Sequence, residues 1–207
     1  MKFNSLFYRL LLFFPILIGG AILDIWTKSL VFDRLGEPGQ NDVLWLIPNI
    51  LGIQTSLNQG ALFGMGQGLT SVFAALSFII LVGILLWIIW DSQKSIFLSI
   101  ILGLISAGII GNLWDRLALH QMLWTDWDVY TGYCSNDMVG QPIYAVRDWI
   151  LVMIGTYPWP NFNLADSYLV TGAILIGLYS ILLPSDSKSQ PDSLIDNSSN
   201  IKKSKSI

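Results

Sequence analysis

Apolar residues gather into four long runs, at about 6–23, 69–90, 95–114 and 164–183, with polar stretches between them. Each run comes close to the ~20 residues that a helix needs to cross a hydrocarbon core of about 30 Å. The pattern predicts four transmembrane helices. The first run contains Pro15 and continues through Asp24 and Lys28 without a convincing small-residue cleavage site, so it reads as a retained helix and not a removed leader.

The stretches between the runs differ in kind. After the first run come Gly36, Pro38, Gly39 and Pro48, then a mixture of β-branched and apolar residues from Ile50 to Leu57 that predicts short strands lying on the membrane surface. The connection from Leu117 to Asn163 carries Trp124, Trp127, Tyr130, Tyr133, Tyr144, Trp149, Tyr157 and Trp159. A loop this long is functional or disordered, and its aromatic content favours packing on the interface or on a lipid-bearing ligand. From residue 185 the chain turns to Ser, Asp, Asn and Lys, which predicts a disordered cytoplasmic tail over 185–207 behind a single membrane domain over 1–184.

Composition supports the membrane reading, since only 12% of residues are charged, against about 25% in soluble domains. An inside N-terminus places Lys2, Arg9, Lys94, Lys188, Lys202, Lys203 and Lys205 in the cytoplasm and leaves Lys28, Arg34, Arg116 and Arg147 outside. The basic excess favours that orientation, with both termini cytoplasmic. The net charge of −3 says little about partners, and no basic, aromatic-interleaved patch suggests nucleic acid, so no nucleic-acid partner is expected. Cys134, the single cysteine, can form no internal disulfide.

In this topology Asp24, Asp115, Asp148 and Asp166 all fall at the outer margins of the apolar runs. A carboxylate near a bilayer is costly unless it is paired or faces a polar cavity, so each is a functional candidate. Asp24 and Lys28 share a helix face, where a helix-end ion pair with Lys28 snorkelling to the headgroups is the plain structural alternative. Gly103, Ala107 and Gly111 recur every fourth residue, a small-residue face that lets another helix approach closely. Asn112, Asp115 and Arg116 follow on one face, either to hold a ligand or as a structural Asp115–Arg116 network. Asn58 beside Gly60 suits a tight turn that presents an amide.

Two carboxylates in one poorly solvated site cannot both ionise cheaply. The charged one can take a proton from water while the protonated one polarises a peptide carbonyl, which supports amide hydrolysis without a metal or a nucleophilic side chain. His120 is the only histidine, so a histidine-rich zinc site is excluded, and no Gly-x-Ser-x-Gly elbow or Walker loop occurs. Neither metal nor cofactor is expected. A small proton- or cation-coupled transporter is the alternative, although its acids should lie nearer the midplane.

Five blocks occur in order: Asp24 with Lys28, Asn58-x-Gly60-Ala61-x-Phe63, Gly111-Asn112-x-x-Asp115-Arg116, Val146-x-Asp148 and Phe162-Asn163-x-Ala165-Asp166. Together they resemble bacterial lipoprotein signal peptidase, or signal peptidase II. The resemblance implies an all-α integral membrane protein of four transmembrane helices, with a small extracytoplasmic β-rich cradle and a long extracytoplasmic loop. It implies an aspartyl endopeptidase of the bacterial cytoplasmic (inner) membrane, active near the extracytoplasmic face and inhibited by globomycin. Its substrates would be diacylglyceryl-modified prolipoproteins in the lipid bilayer, cut just before the lipidated cysteine. The catalytic pair would be Asp148 and Asp166, with Asn58, Gly60, Asn112, Arg116 and Asn163 lining the site and holding substrate backbone, and Asp24, Lys28 and Asp115 in support. The resemblance places the cradle and a mobile outer segment in the loop after the first span and in an insertion over 117–147. That insertion is longer than the family spacing and leaves Asp115 as the fallback partner of Asp166.

Overall fold

The computed structural model describes residues 2–60, 66, 68–90 and 95–182. The tail over 185–207, Leu183 at the end of the fourth span, and Ala61 and Phe63 of the turn motif lie outside the described residues. Helices α1 (Lys2–Leu35), α2 (Thr70–Trp90), α3 (Ile96–Arg116) and α5 (Leu164–Leu182) are each long and apolar enough to cross a membrane. Short α4 (Asp126–Tyr130) lies between α3 and the strands β3 (Val146–Ile154) and β4 (Tyr157–Phe162), while β1 (Leu44–Ile47) and β2 (Leu51–Asn58) follow α1.

The first helix is longer than the apolar run over 6–23 suggested. Its 34 residues reach about 51 Å at 1.5 Å per residue, well beyond a hydrocarbon core of about 30 Å. The extra turns carry Asp24 and Lys28 and end at Gly36, whose φ of +73° suits a helix stop.

Helix α3 is the hub. Most of its span is buried, whereas α2 and α5 turn large apolar side chains such as Phe78, Ile79 and Ile174 outward. Small residues explain how neighbours come so near. A Cβ at Gly103 would meet the Phe13 carbonyl of α1 at 3.0 Å, one at Gly20 would meet Ala107 at 2.8 Å, and one at Gly111 would strike the Asp24 carboxylate. Gly108 lets α5 in on another face, because a Cβ there would lie 2.5 Å from the Ala165 carbonyl. Phe13, Ile88, Leu98 and Leu102 fill the apolar core between α1, α2 and α3.

Above the helices lies one antiparallel sheet in the order β1-β2-β3-β4. The strands after α1 match the expectation for Ile50–Leu57, but half of the sheet comes from a hairpin that the sequence reading left as loop. Gly155, at φ +64°, supplies the backbone that a two-residue hairpin turn demands. Pro158 and Pro160 fall on the edge strand β4, where a missing N–H breaks no inner ladder. The register sets Asp148 opposite Ser56 and Val146 opposite Asn58. The segment before the hairpin is not strand-rich; Trp124, Ile143 and Ala145 pack it into a second apolar core with Phe32 and Leu57.

Candidate active site

The sheet and the end of the bundle that it covers bring Asp148 and Asp166 into one hydrogen-bond network. Asp166 occupies the third position of α5, where Asn163 caps the helix. The Asn163 Oδ1 accepts from the Asp166 N–H at 2.9 Å, and the Asp166 Oδ2 accepts from the Asn163 N–H at 3.3 Å. This reciprocal pairing satisfies two orphan donors and sets the carboxylate at the positive end of the helix dipole. The Asn112 Nδ2 donates to the Asp166 Oδ1 at 2.8 Å.

Asp148 projects from the central strand β3 and is 2% exposed. Its Oδ1 accepts from the Asn163 Nδ2 at 2.6 Å and its Oδ2 from the Asn58 Nδ2 at 3.2 Å. The Asn58 amide is oriented in turn by the Gly60 N–H, which donates to its Oδ1 at 2.9 Å. Burial, reinforced by the nearby Asp166 charge, pushes the Asp148 carboxyl up to about 8. Around neutral pH Asp148 therefore keeps its proton.

Asp24, Lys28 and Asp115 form a separate cluster beside this pair. Lys28 is fully buried, at 2.7 Å from Asp24 and 3.3 Å from Asp115. It does not snorkel to the headgroups, which corrects the alternative drawn from its helix-end position. Asp115 is held from the other side by Arg147, whose Nη2, Nε and backbone N–H all donate to it, at 2.9, 3.1 and 2.9 Å. Asp24 caps α5 through its Oδ1, which accepts from the Ala165 N–H at 2.8 Å. The sequence reading missed Arg147 as a site residue. Its neighbour Asp148 drew the attention, and alternation along a strand sends the two side chains to opposite faces.

Asn112, Asp115 and Arg116 do not act together on one ligand face. Asp115 turns into the ion cluster and Asn112 reaches Asp166, while Arg116 donates to the Gly60 carbonyl at 3.3 Å with its guanidinium 5.6 Å above the Phe73 ring. Asn112 joins the two groups. Its Oδ1 accepts from Lys28 at 3.0 Å and from the Asn163 Nδ2 at 3.2 Å, which aims its N–H donors at Asp166. The three amides expected to hold substrate backbone also bond the two acids.

Two cavities meet at the pair. One, of about 590 Å³, is lined by Asp166, Arg116, Trp159, Phe162, Leu169 and Val170 and opens beside α5. The other, of about 500 Å³, is lined by Asp148, Gln54, Ser56, Asn161, Thr131 and Tyr133 and lies against the sheet. Asn58, Pro160 and Asn161 belong to both walls. An apolar chamber and a polar one adjoin at paired carboxyls, an arrangement suited to hydrolysing a bond between an apolar and a polar segment of one chain.

The sequence matches the family model described as signal peptidase (SPase) II over residues 16–182. The chain belongs to this family. Signal peptidase II is an aspartic-type membrane peptidase family, and membership replaces the transporter reading. Among its relatives, the lipoprotein signal peptidase of Rhodopirellula baltica is 41% identical over 170 residues, 81% of this chain and 70% of that protein. The lipoprotein signal peptidase of Geobacillus thermodenitrificans is 30% identical over 183 residues, 87% of this chain and 96% of that protein. A bacterial membrane enzyme solved at 2.3 Å superposes with a TM-score of 0.65 at 29% identity, covering 86% of this chain and 92% of that one. The fold of this signal peptidase II family member, four long apolar helices with a four-stranded antiparallel sheet, matches that of a bacterial multi-pass membrane enzyme.

Proposed function

We propose that this protein removes signal peptides from diacylglyceryl-modified prolipoproteins by cutting just before the lipidated cysteine, with Asp148 and Asp166 as the catalytic pair. The observation that carries this reading is the placement of a buried carboxyl, Asp148, and a half-buried one, Asp166, bridged by Asn163, where an apolar cavity adjoins a polar one.

The mechanism follows from the proton that Asp148 carries. Asp166, in the first turn of α5, serves as the general base and takes a proton from a water molecule. The hydroxide oxygen bonds to the scissile carbonyl carbon while Asp148 gives its proton to the carbonyl oxygen, forming a neutral gem-diol. Collapse breaks the C–N bond as the proton on Asp166 passes to the departing nitrogen, and a hydroxyl proton returns to Asp148. The products are a carboxylic acid and an amine, with both aspartates restored. Arg116, the one cation lining either cavity among the described residues, faces the chamber beside α5 and can pair with backbone carbonyls of an unwound signal peptide.

The basic residues support cytoplasmic termini and an active site near the extracytoplasmic face of the bacterial inner membrane. The test is cleavage by the protein in lipid bilayers of a diacylglyceryl-prolipoprotein and of its unmodified precursor, each with and without globomycin. Lipid-dependent, globomycin-blocked cleavage is expected. Equal cutting of both precursors would overturn the substrate assignment.

A further inference from the structure

The backbone that presents Asn58 leaves the sheet at that residue. Asn58, opposite Val146, ends the β2–β3 ladder, so Gln59 and Gly60 have no strand partner and other groups must hold them. Groups of the site do so in part: the Gly60 N–H donates to the Asn58 Oδ1 at 2.9 Å, and Arg116 donates to the Gly60 carbonyl at 3.3 Å. Gln59 supplies two further bonds. Its Nε2 donates to the Tyr133 carbonyl at 3.0 Å, and its own carbonyl accepts from the Thr70 hydroxyl at 3.2 Å. Gln59 thus ties the turn to the start of α2 on one side and to the segment over 117–145 on the other.

That segment is a firm partner. The Tyr133 N–H donates to the Asp128 carbonyl at 2.8 Å, and Tyr133 packs against the apolar core that contains Leu57 and Trp124. Helix α4 is fastened in turn to the chain just past α1. The Trp127 Nε1 donates to the Pro38 carbonyl at 3.0 Å, and the Thr125 hydroxyl lies 2.9 Å from the Glu37 carboxylate. A continuous path therefore runs from the end of α1 through α4, Tyr133 and Gln59 to Asn58, whose Nδ2 donates to the Asp148 Oδ2 at 3.2 Å. That bond is at the long end of the hydrogen-bond range, so a small shift of the turn breaks it. Gln59 also lines the polar cavity, but its amide nitrogen is bonded to the segment.

We propose that Gln59 is a positioning residue for the cleavage, the link through which the segment over 117–145 holds Asn58 against Asp148. The proposal rests on the lipoprotein-processing reading above and gives the segment a part in the reaction. An amide donated to a carboxylate favours its charged form, so Asn58 draws the Asp148 carboxyl down against the upward push of burial and of Asp166 in α5. Lys28 of α1 draws it down as well, and Arg116 of α3 feels the Asp148 charge. Freeing the turn removes the Asn58 contribution and moves the Asp148 carboxyl further up.

The test uses the full chain in lipid bilayers with a diacylglyceryl-prolipoprotein substrate. Gln59→Met keeps the side-chain length and removes the donor. It should lower kcat about 3–10-fold, the worth of one neutral hydrogen bond, with KM unchanged. Cleavage should also persist to higher pH than in wild type, as it should in Asn58→Ala. Added to Asn58→Ala, Gln59→Met should cost less than about a further twofold. Trp127→Ala, which cuts the pin to Pro38, should lower kcat by about twofold or more in the wild-type background and leave Gln59→Met unchanged. A folded Gln59→Met protein with wild-type kcat, a change in KM alone, losses that multiply in full with Asn58→Ala, or a Trp127→Ala protein indistinguishable from wild type would overturn the proposal. No cleavage of this substrate by folded wild type would instead sink the processing reading.

Discussion

Two groups of acids lie side by side at the sheet-covered end of this bundle, and they are partnered in opposite ways. Asp24 and Asp115 have cations: Lys28 between them and Arg147 forked onto Asp115. Among the described residues, Asp148 and Asp166 have only neutral donors, namely Asn58, Asn112, Asn163 and one backbone N–H. A cation fixes a carboxylate in its charged form and ends its chemistry, whereas an amide orients it and leaves it able to exchange a proton. The first group welds α1, α3, α5 and β3 together. The second is left reactive because no cation among the described residues lies at bonding distance.

The largest expected effect separates the groups by activity. Asp166→Asn should lower cleavage by about 10²–10⁴-fold, the usual worth of a positioned acid or base, without lowering the unfolding temperature. Next, Lys28→Ala should act through stability. It strips the fully buried Asp24 of its cation and leaves Asp115 with Arg147 alone, a loss of about 3–5 kcal/mol when one partner of a buried pair is removed, read as a fall in thermal unfolding midpoint in detergent. Wild-type stability in that variant would place the cluster's energy elsewhere.

Asn112→Ala tests the single side chain that links the groups. Losing a hydrogen bond to a charged acid costs about 1.5–3 kcal/mol, so kcat should drop about 10–100-fold with KM little changed. A KM effect alone would make Asn112 a substrate-binding group. The pH profile gives a smaller effect. An acid raised to about 8 is protonated below that value and loses its proton above it, so cleavage should fall about tenfold from about pH 7 to about pH 9. In Asp115→Asn, if enough folds to assay, that alkaline limb should persist. Smallest of all, Cys134→Ser, outside both groups, should change stability by less than about 0.5 kcal/mol and leave cleavage insensitive to thiol-blocking reagents.

Legibility followed the length scale of each signal. Four spans follow from hydropathy because lipid demands long apolar helices, and the Gly103–Ala107–Gly111 face reads from its period. The acids stood out because charge near lipid is costly. The β3–β4 hairpin was hidden by Pro158 and Pro160, which argue against a strand until the strand proves to be an edge. Arg147 was hidden for a different reason: its partner Asp115 lies 32 positions away, and no local pattern announces a buried fork. The same distance problem hid the bonds of Asn58, Asn112 and Asn163 to the two acids, which only their convergence in space reveals.

The decisive measurement compares Asp148→Asn with Asp115→Asn, each purified in bilayers and scored for both cleavage of a diacylglyceryl-prolipoprotein and unfolding temperature. Asp148→Asn should be folded at or above wild-type stability and inactive, while Asp115→Asn should be destabilised yet active in proportion to its folded fraction. A folded Asp148→Asn protein that cleaves at the wild-type rate, or a stable Asp115→Asn protein that does not cleave, would contradict the division of roles between the two groups.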